Sequence, residues 1–172
     1  MGILIRAVEK IQDIQSLVSI RQSLKDHQKK VVFTNGCFDI LHRGHIHLFH
    51  EAKKLGDILF VAVNDDLSIR RIKGPTRPIF PLEERMEVLE AITDIDYLVP
   101  FIEETPKEII SSLLPDVLVK GGDWKPEEVV GKKEVEQAGG EVITIPYLPH
   151  HSSTDIIQRI LRLSAEMNSS GK

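Results

Sequence analysis

Hydrophobic and polar residues alternate along the chain in two periods, one typical of buried strands and one typical of amphipathic helices. Short runs rich in valine, isoleucine and leucine predict strands, and apolar residues three or four positions apart predict helices. We expect strands near residues 31–35, 58–63, 96–99, 116–120 and 141–145. We expect helices near 44–55, 82–92, 106–113, 127–138 and 153–164, after an amphipathic helical segment over 8–29. This alternation predicts an α/β fold with a five-stranded parallel sheet and right-handed crossovers.

The predicted sheet gathers several polar segments at one edge. In an open parallel sheet, ligands bind outside the carboxyl ends of the strands, where the strand order reverses. Segments 35–45, 64–77, 120–124 and 149–154 all follow predicted strands. Neither Gly-x-Gly-x-x-Gly nor Gly-x-x-x-x-Gly-Lys-Ser/Thr occurs, so a dinucleotide oxidoreductase or a P-loop kinase has little support.

Length and charge narrow the classes of function. The 172 residues suit a single domain, which we divide into an N-terminal helical extension (1–29), a core that carries the site (30–164) and a tail (165–172). The 22 basic and 26 acidic residues give a net charge of −4, which argues against a general nucleic-acid binder. No apolar run reaches the length of a signal peptide or a membrane span, so we expect a cytoplasmic location.

Two histidines stand where the first predicted strand gives way to a helix. Residues 31–33 form the strand, Gly36 permits a tight turn, and His42 and His45 lie three positions apart at the helix start. Backbone N–H groups at a helix N-terminus hold anions, and histidines at this spacing face the same side. The segment therefore predicts a phosphate site.

Two other chemistries fit this segment less well. A zinc site would need His47 as well, but His45 and His47 project to different helix faces, and His47 and His50 are expected to be partly exposed. Cys37 is the only cysteine of the chain, which excludes an intrachain disulfide and a Cys-rich zinc module. It is not expected to be a nucleophile, because a phosphate-binding turn needs only its backbone N–H.

A basic segment follows the second predicted strand. Its glycine and prolines predict a mobile loop over residues 70–77, with the cations Arg70, Arg71, Lys73 and Arg77. Such a loop is either a solvated face or a lid that closes over phosphates and excludes water. Arg85 follows among glutamates, as in an exposed salt-bridged arginine or a phosphate ligand.

Two further segments carry candidate ligands. Gly121 and Gly122 allow close approach of the backbone to a ligand, and Asp123 can accept from ribose hydroxyls or a metal-bound water. Trp124 fits the edge of a core as well as a substrate contact. Residues 152–154 open the last predicted helix, which predicts an N-cap and phosphate binding by the same geometry.

Four segments, in this order, resemble the cytidylyltransferase-like nucleotidyltransferases. They are His42-x-Gly44-His45 after Asn-Gly-Cys-Phe-Asp-Ile-Leu, Arg70–Gly74 with Arg77-Pro78, Glu84–Met86, and Val119–Trp124. The likeness spans residues 30–161, and it points to the adenylyltransferases of D-glycero-β-D-manno-heptose 1-phosphate, which make ADP-heptose for bacterial lipopolysaccharide. It implies a Rossmann-like fold with helices on both faces of the sheet. The implied reaction is transfer of AMP from ATP with release of pyrophosphate.

The resemblance also implies roles for individual residues. The catalytic set is His42, His45, Lys73 and Arg85, with the arginine at the triphosphate. The nucleotide contacts are Asn35, Gly36, Cys37, Phe38, Gly121, Asp123, Ser152, Ser153 and Thr154. The contacts to the second substrate are Asp39, Asn64, Arg77 and Lys120. Mg²⁺ is expected to arrive with ATP and to be held mainly by phosphates and water. The partners implied are a second copy in a homodimer and a separate sugar kinase.

One departure from the superfamily pattern limits the residue roles that the resemblance implies. Many members end in Ser-Ser-Thr-x-x-Arg, whereas Ile157 stands here at the arginine position and Arg159 follows two residues later. We therefore assign no phosphate-binding arginine to this segment. Two alternatives stay open, namely a cytidylyltransferase acting on glycerol 3-phosphate and a non-catalytic nucleotide-binding subunit.

Overall fold

Five parallel strands form the sheet of the computed structural model, which describes residues 9–122, 125–149 and 151–170. The strands are β1 (Val31–Gly36), β2 (Ile58–Asn64), β3 (Tyr97–Phe101), β4 (Val117–Gly121) and β5 (Glu141–Ile145). Their order is β3-β2-β1-β4-β5, and every neighbouring pair is parallel. The α/β fold and all five strands are therefore confirmed. The order reverses between β1 and β4, which places the expected ligand crevice at their carboxyl ends.

Seven α-helices connect and cover the strands in the described part of the chain. They are α1 (Ile14–Asp26), α2 (Arg43–Lys53), α3 (Asp66–Lys73), α4 (Leu82–Glu90), α5 (Lys107–Leu113), α6 (Lys132–Gln137) and α7 (Ser153–Ser170). A short 3₁₀ turn, Pro126–Glu128, precedes α6. Among these residues no helix is both long and apolar enough to cross a membrane.

Three helix predictions need correction. Residues 70–73 belong to α3 rather than to a loop, and the loop begins only at Gly74, where φ is 94°. The single helix predicted over 127–138 is a 3₁₀ turn followed by α6, because Gly131 breaks the helix with φ of 88°. The last helix continues to Ser170, so most of the predicted tail is helical.

The sheet is buried on both faces, which explains the continuous apolar runs of its strands. Val32 of β1 belongs to the core under α2 and α4, together with Phe49 and Leu89. Val31 and Phe33 point to the opposite core, where α1, α5 and α6 contribute apolar side chains that include Leu17, Ile110 and Val135. Helices therefore cover both faces, as the resemblance implied.

The N-terminal segment is part of this packing. Residues 10–12 run beside β3, where the Gln12 N–H donates to the Leu98 carbonyl at 2.8 Å and the Leu98 N–H donates to the Lys10 carbonyl at 2.8 Å. Helix α1 then starts at Ile14, with the Asp13 carboxylate accepting from the Ser16 N–H at 2.8 Å as its N-cap. The helix predicted from residue 8 thus begins six residues later.

Arg21 anchors α1 to the amino ends of the strands. Its Nε donates to the Leu113 carbonyl at 3.2 Å, and its Nη2 donates to the Leu114 carbonyl at 3.0 Å and to Asp116 at 2.9 Å. The arginine side chain is almost wholly buried, and Asp116 also accepts from the Val31 N–H at 2.7 Å. One guanidinium therefore provides hydrogen bonds to the carbonyl groups at the end of α5 and holds Asp116 in place before β4.

Arg21→Ala should lower the free energy of unfolding by about 3 kcal/mol, because it removes the donor to the buried Leu113 carbonyl, to the Leu114 carbonyl and to one oxygen of Asp116. Urea unfolding at neutral pH measures the change. Lys25→Ala, an exposed change on the same helix, is the control and should stay within about 0.5 kcal/mol of the parent. Equal stability of the two variants would contradict the anchoring role.

Candidate active site

Two cavities open at the carboxyl ends of the strands, on either side of the α2 N-terminus. The first, of about 330 Å³, lies between α2, the segment after β5 and the start of α7. The second, of about 420 Å³, lies between the turn after β1, the end of β2, the end of α3 and the segment after β3. The residues that line both cavities are His45, Leu48, Lys73, Gly121, Tyr147 and Ser153. The two spaces therefore meet at the predicted catalytic histidine and lysine.

The paired histidines form a stacked unit at the start of α2. His42 is the N-cap, and its Nδ1 accepts from the Gly44 N–H at 3.1 Å. The His42 and His45 rings stack with centroids 3.7 Å apart, and the Phe38 ring meets His45 edge-on at 5.2 Å. A Cβ at Gly44 would lie 2.9 Å from both the His151 carbonyl oxygen and the His42 ring. The glycine between the histidines is thus required by this packing.

Both imidazoles are held in the neutral form. Burial lowers the pKa of His45 to about 3, with further lowering by the neighbouring His42 and Lys73. Burial also lowers the pKa of His42, assisted by His151 and Lys73. The Nδ1 of His45 is buried and has no hydrogen-bond partner among the described residues. At neutral pH these side chains can offer an N–H to an anion but no positive charge.

Arg85 is buried and links four segments of the chain around the site. It is 2% exposed and lines neither cavity. Its Nε donates to the Phe80 carbonyl at 3.0 Å, its Nη1 donates to the carbonyls of Cys37 and Asn64 at 2.6 and 2.9 Å, and its Nη2 donates to Asp66 at 2.8 Å. This geometry excludes an exposed surface position, and the predicted triphosphate contact remains a prediction. The arginine instead fixes the segments that carry the site.

Asp39 and Arg77 pair with each other beneath the second cavity. The Arg77 Nε donates to Asp39 at 2.6 Å, and the other carboxylate oxygen accepts from the backbone N–H groups of Ile79 and Phe80 at 2.7 and 3.0 Å. The Asp39 side chain is fully buried. In this structure the pair connects the loop after α3 to the turn after β1. The predicted contacts of both residues to substrate remain predictions.

Polar groups at the ends of β1, β2 and β4 line the second cavity. The Lys120 ammonium donates to Asn35 at 3.2 Å, and burial lowers the pKa of this lysine. The Asn64 amide donates to Ser68 at 2.7 Å. Burial raises the pKa of the Cys37 thiol, although Lys73 and Arg85 oppose the shift. A raised thiol pKa is unfavourable for a nucleophile.

The start of α7 closes the first cavity. The Ser152 hydroxyl accepts from the Asp155 N–H at 3.1 Å, while Asp155 accepts from the Ser152 N–H at 3.2 Å. This reciprocal capping confirms the predicted N-cap. Ser153 and Thr154 line the same cavity, and the Ser153 hydroxyl lies 3.4 Å from the Ile40 carbonyl.

Several cavity residues were missed by sequence reasoning. Tyr147 lines both cavities, and a Cβ at Gly122, where φ is 122°, would lie 2.6 Å from its ring. The close approach predicted for this glycine is therefore to a tyrosine of the same chain. His151 and the prolines of segment 146–149 line the first cavity, and Glu104 and Thr105 line the second. The predicted Asp123 and Trp124 lie outside the described residues.

No three histidine, cysteine, aspartate or glutamate side chains are placed to hold a metal ion in the described ranges. Asp39 follows β1 and lies in the wall of the second cavity, where its carboxylate is already paired with Arg77. Asp155, in the wall of the first, caps α7.

The sequence matches full-length proteins named Bifunctional protein HldE. The protein of Syntrophotalea carbinolica is 49% identical over 156 residues, which cover 87% of this chain and 32% of that protein. The protein of Photorhabdus laumondii is 51% identical over 146 residues, which cover 85% of this chain and 30% of that protein. The chain thus spans about a third of the length of these relatives. Since they are named bifunctional, they do not support the prediction of a separate kinase.

Two solved structures and one family model also match this chain. The lipopolysaccharide core biosynthesis protein of Thermoplasma volcanium superposes with a TM-score of 0.60 at 31% identity, covering 70% of this chain and 98% of that one. Pantoate-beta-alanine ligase of Francisella tularensis, at 20% identity and a TM-score of 0.55, covers 79% of this chain and 66% of that one and shares the fold. The family model described as Cytidylyltransferase-like matches residues 33–159, a range that includes both histidines, Lys73 and Arg85. The chain belongs to the cytidylyltransferase-like family.

Proposed function

We propose that this chain is an adenylyltransferase that transfers AMP from ATP to D-glycero-β-D-manno-heptose 1-phosphate. An oxygen of the sugar phosphate attacks the α-phosphorus of ATP, a new P–O bond forms, the bond to the β-phosphate bridging oxygen breaks, and pyrophosphate leaves. The acceptor already carries an anionic oxygen, so no protein nucleophile is required. The protein has to align the two substrates and stabilise the charge that develops.

The meeting of the two cavities at His45 and Lys73 is the observation that carries this proposal. The first cavity combines the apolar walls Ile145 and Leu148 with the polar side chains of Ser152 and Thr154. The second combines Phe38, Ile72 and Val130 with the polar side chains of Asn35, Asn64 and Lys120, so each cavity can hold a nucleoside or a hydroxylated phosphate. An α-phosphate at the junction would lie between a base in one cavity and an acceptor in the other. Such a two-substrate arrangement is less expected of a non-catalytic nucleotide-binding subunit.

Helix charges support the same position for the phosphate. Each helix from α3 to α7 carries an acidic residue in the first turn and α1 is capped by Asp13, whereas α2, which follows β1, has neither. A carboxylate at a helix N-terminus competes with a bound anion for the helix dipole and the free N–H groups. Helix α2 is therefore the favoured anion site at this edge, and its first turn presents His42 and His45.

Magnesium would enter with the nucleotide. Because Asp39 and Asp155 are already engaged within the protein, the described residues fit a Mg²⁺ ion that is held by phosphate oxygens and water. When bound, such an ion neutralises phosphate charge. The name of the Thermoplasma volcanium protein supports an acceptor of lipopolysaccharide synthesis. The predicted homodimer and the location of the protein remain predictions.

The direct test is release of pyrophosphate with every pairing of ATP or CTP with heptose 1-phosphate or glycerol 3-phosphate. We expect turnover with ATP and heptose 1-phosphate. Turnover only with CTP and glycerol 3-phosphate would establish the rival cytidylyltransferase, and binding without turnover in all pairings would establish a non-catalytic subunit.

His45→Ala should lower kcat by roughly 10²- to 10³-fold, the usual loss for one preorganised donor in the transition state. His50→Ala is the matched control, because His50 is exposed on the same helix and lines neither cavity. Steady-state pyrophosphate release measures both variants. An unchanged kcat for His45→Ala would remove this residue from the mechanism.

Lys73→Ala should lower kcat by about 10²-fold and change nucleotide KM less, since a cation at the junction acts most strongly as charge develops on the α-phosphate. Arg70→Ala is the matched control, because Arg70 is a cation in the same last turn of α3 but lines neither cavity. It should retain the parent kcat. Similar losses in the two variants would point to a diffuse charge effect instead of a placed ligand.

The neutral state of His45 has its own consequence for stability. Its pKa is lowered from 6.5 to about 3 in the folded protein. Between these two pH values His45 is therefore protonated in the unfolded chain but neutral in the folded protein. Stability should therefore fall as the pH drops from 6.5 towards 3. His45→Gln should make this decline shallower in urea unfolding measured from pH 7 to pH 4. Parallel declines for parent and variant would show that His45 is readily protonated in the fold.

A further inference from the structure

Phe38 has an unusual backbone conformation in the turn between β1 and α2. Its φ is 45°, in the left-handed region that bulky side chains rarely adopt. A strained residue of this kind persists only where the surrounding structure determines its conformation, and such residues concentrate at functional sites. The contacts of the Phe38 side chain indicate what this conformation achieves.

Buried charges hold the chain on both sides of Phe38. The Arg85 Nη1 donates to the Cys37 carbonyl at 2.6 Å. The buried Asp39 carboxylate accepts from two backbone N–H groups of the loop after α3, at 2.7 and 3.0 Å. A relaxation of Phe38 to negative φ would disturb these buried hydrogen bonds, each of which is costly to leave unmade. The strained conformation is therefore imposed by the two neighbours of the residue.

This conformation places the Phe38 ring against the imidazole of His45. The two rings meet edge-on, with centroids 5.2 Å apart and planes at 78°. The same phenylalanine ring packs on Phe49, one turn further along α2, with centroids 5.0 Å apart. Gly36 leaves the space for it, because a Cβ there would lie 2.9 Å from the Phe38 Cζ atom. The ring is thus wedged between the end of β1 and one face of α2.

Packing, and not a hydrogen bond at Nδ1, orients the His45 ring in the described part of the chain. Its Nδ1 is buried and has no hydrogen-bond partner there. A histidine that acts on a ligand through one ring nitrogen is often fixed by a hydrogen bond at the other. Here the ring contacts are the stacking with His42 at 3.7 Å and the edge-on contact with Phe38. These two rings take the place of the missing hydrogen bond.

Two simpler roles account less well for Phe38. It lies in the wall of the second cavity but is only 3% exposed, so the predicted nucleotide contact would fall to its backbone N–H. A core role alone does not require a left-handed conformation, since an apolar side chain at negative φ fills a core without strain. We propose that Phe38 is a positioning residue, whose ring holds the His45 imidazole at the junction of the two cavities. This inference rests on the proposed function, in which His45 acts at the α-phosphate.

Phe38→Leu should lower kcat by about 10- to 100-fold, because the imidazole is misplaced. The KM for ATP should change less than about threefold, since the interaction lost acts in the transition state. Phe60→Leu is the matched control, because Phe60 is fully buried in the opposite core and meets Tyr97 edge-on at 5.4 Å. It should lose stability and keep the parent kcat. Equal losses of kcat in the two variants, or a parent kcat for Phe38→Leu, would overturn the proposal.

Phe38→Gly and Phe38→Ala separate the ring from the backbone conformation. Glycine adopts positive φ without strain, so the glycine variant should unfold at a urea concentration at least as high as that of the alanine variant. Both should lose kcat to the same extent, because both lack the ring. A parent kcat in Phe38→Gly would show that the backbone conformation alone matters, and the positioning role of the ring would be wrong.

The titration of His45 gives a readout that does not depend on turnover. Loss of the Phe38 ring admits water beside the imidazole, so the pKa of His45 should rise from about 3 towards 6.5 in Phe38→Ala. NMR of the histidine ring protons from pH 7 to pH 4 measures it, and His45→Gln identifies the signal. The variant retains the two groups that act on His45 by charge and the other titratable groups of the second cavity, namely His42 and Lys73, and Cys37, Asp39, Glu104 and Lys120.

A change in this titration therefore reports the lost ring. A titration of His45 in Phe38→Ala that matches the parent would contradict the proposal, whatever the activity of the variant. A parent without turnover would refute the proposed function, and the titration would then still decide whether Phe38 holds the imidazole.

Discussion

The buried guanidinium of Arg85 is the interaction on which the geometry of the site depends. It donates to the turn after β1, the end of β2, the start of α3 and the segment before α4. A buried charge is tolerated only where its hydrogen bonds are satisfied, so the arginine selects one arrangement of these four segments. That arrangement fixes the turn that leads to His42 and the direction of α3, which ends at Lys73. The geometry of the candidate site is thus set by a residue outside both cavities.

The charge state of the site follows first from burial and then from the packing of its basic groups. Burial lowers the pKa of His42 and of His45, whose rings stack at 3.7 Å, and Lys73 lowers both further. Protonation of either ring would place a second positive charge beside the lysine in a partly buried space, so the site keeps the imidazoles neutral. An anionic phosphate would reverse this balance, because it lowers the cost of positive charge nearby. The site is therefore organised to receive negative charge.

Sequence reasoning succeeded where a single periodic pattern determines the structure. The five strands are runs of apolar residues buried on both faces, and Gly36 marks the turn that leads to the helix start at His42 and His45. Helix α3 was missed because Arg70, Arg71, Lys73 and Gly74 obscure a short amphipathic turn in which Ile69 alone is fully apolar and buried. Helix propensity in eight residues is weak, and the fold of this segment depends on the contact between Asp66 and Arg85, which lie 19 positions apart.

Long-range pairs also explain why the sequence did not reveal the structural contacts of some predicted site residues. A phosphate ligand and a buried structural clamp use the same side chain, so the sequence around Arg85 could not distinguish them. The same holds for Asp39, whose partner Arg77 lies 38 positions away. Tyr147 was not predicted as a cavity residue because its own sequence position gives no indication of it. The indication lies at Gly122, where the absence of a side chain leaves room for the tyrosine ring.

The departure at the start of α7 has a physical counterpart in this arrangement. Asp155 takes part in the cap with Ser152, and the position where many superfamily members carry arginine holds Ile157, which is half-buried. The α7 N-terminus therefore carries the carboxylate of Asp155, and the position of the superfamily arginine is apolar. Positive charge for a bound polyphosphate must come from the other side of the crevice, where Lys73, Lys120 and the acid-free N-terminus of α2 meet. This concentrates the demands of the reaction on the turn after β1 and on the end of α3, the two elements that Arg85 holds in place.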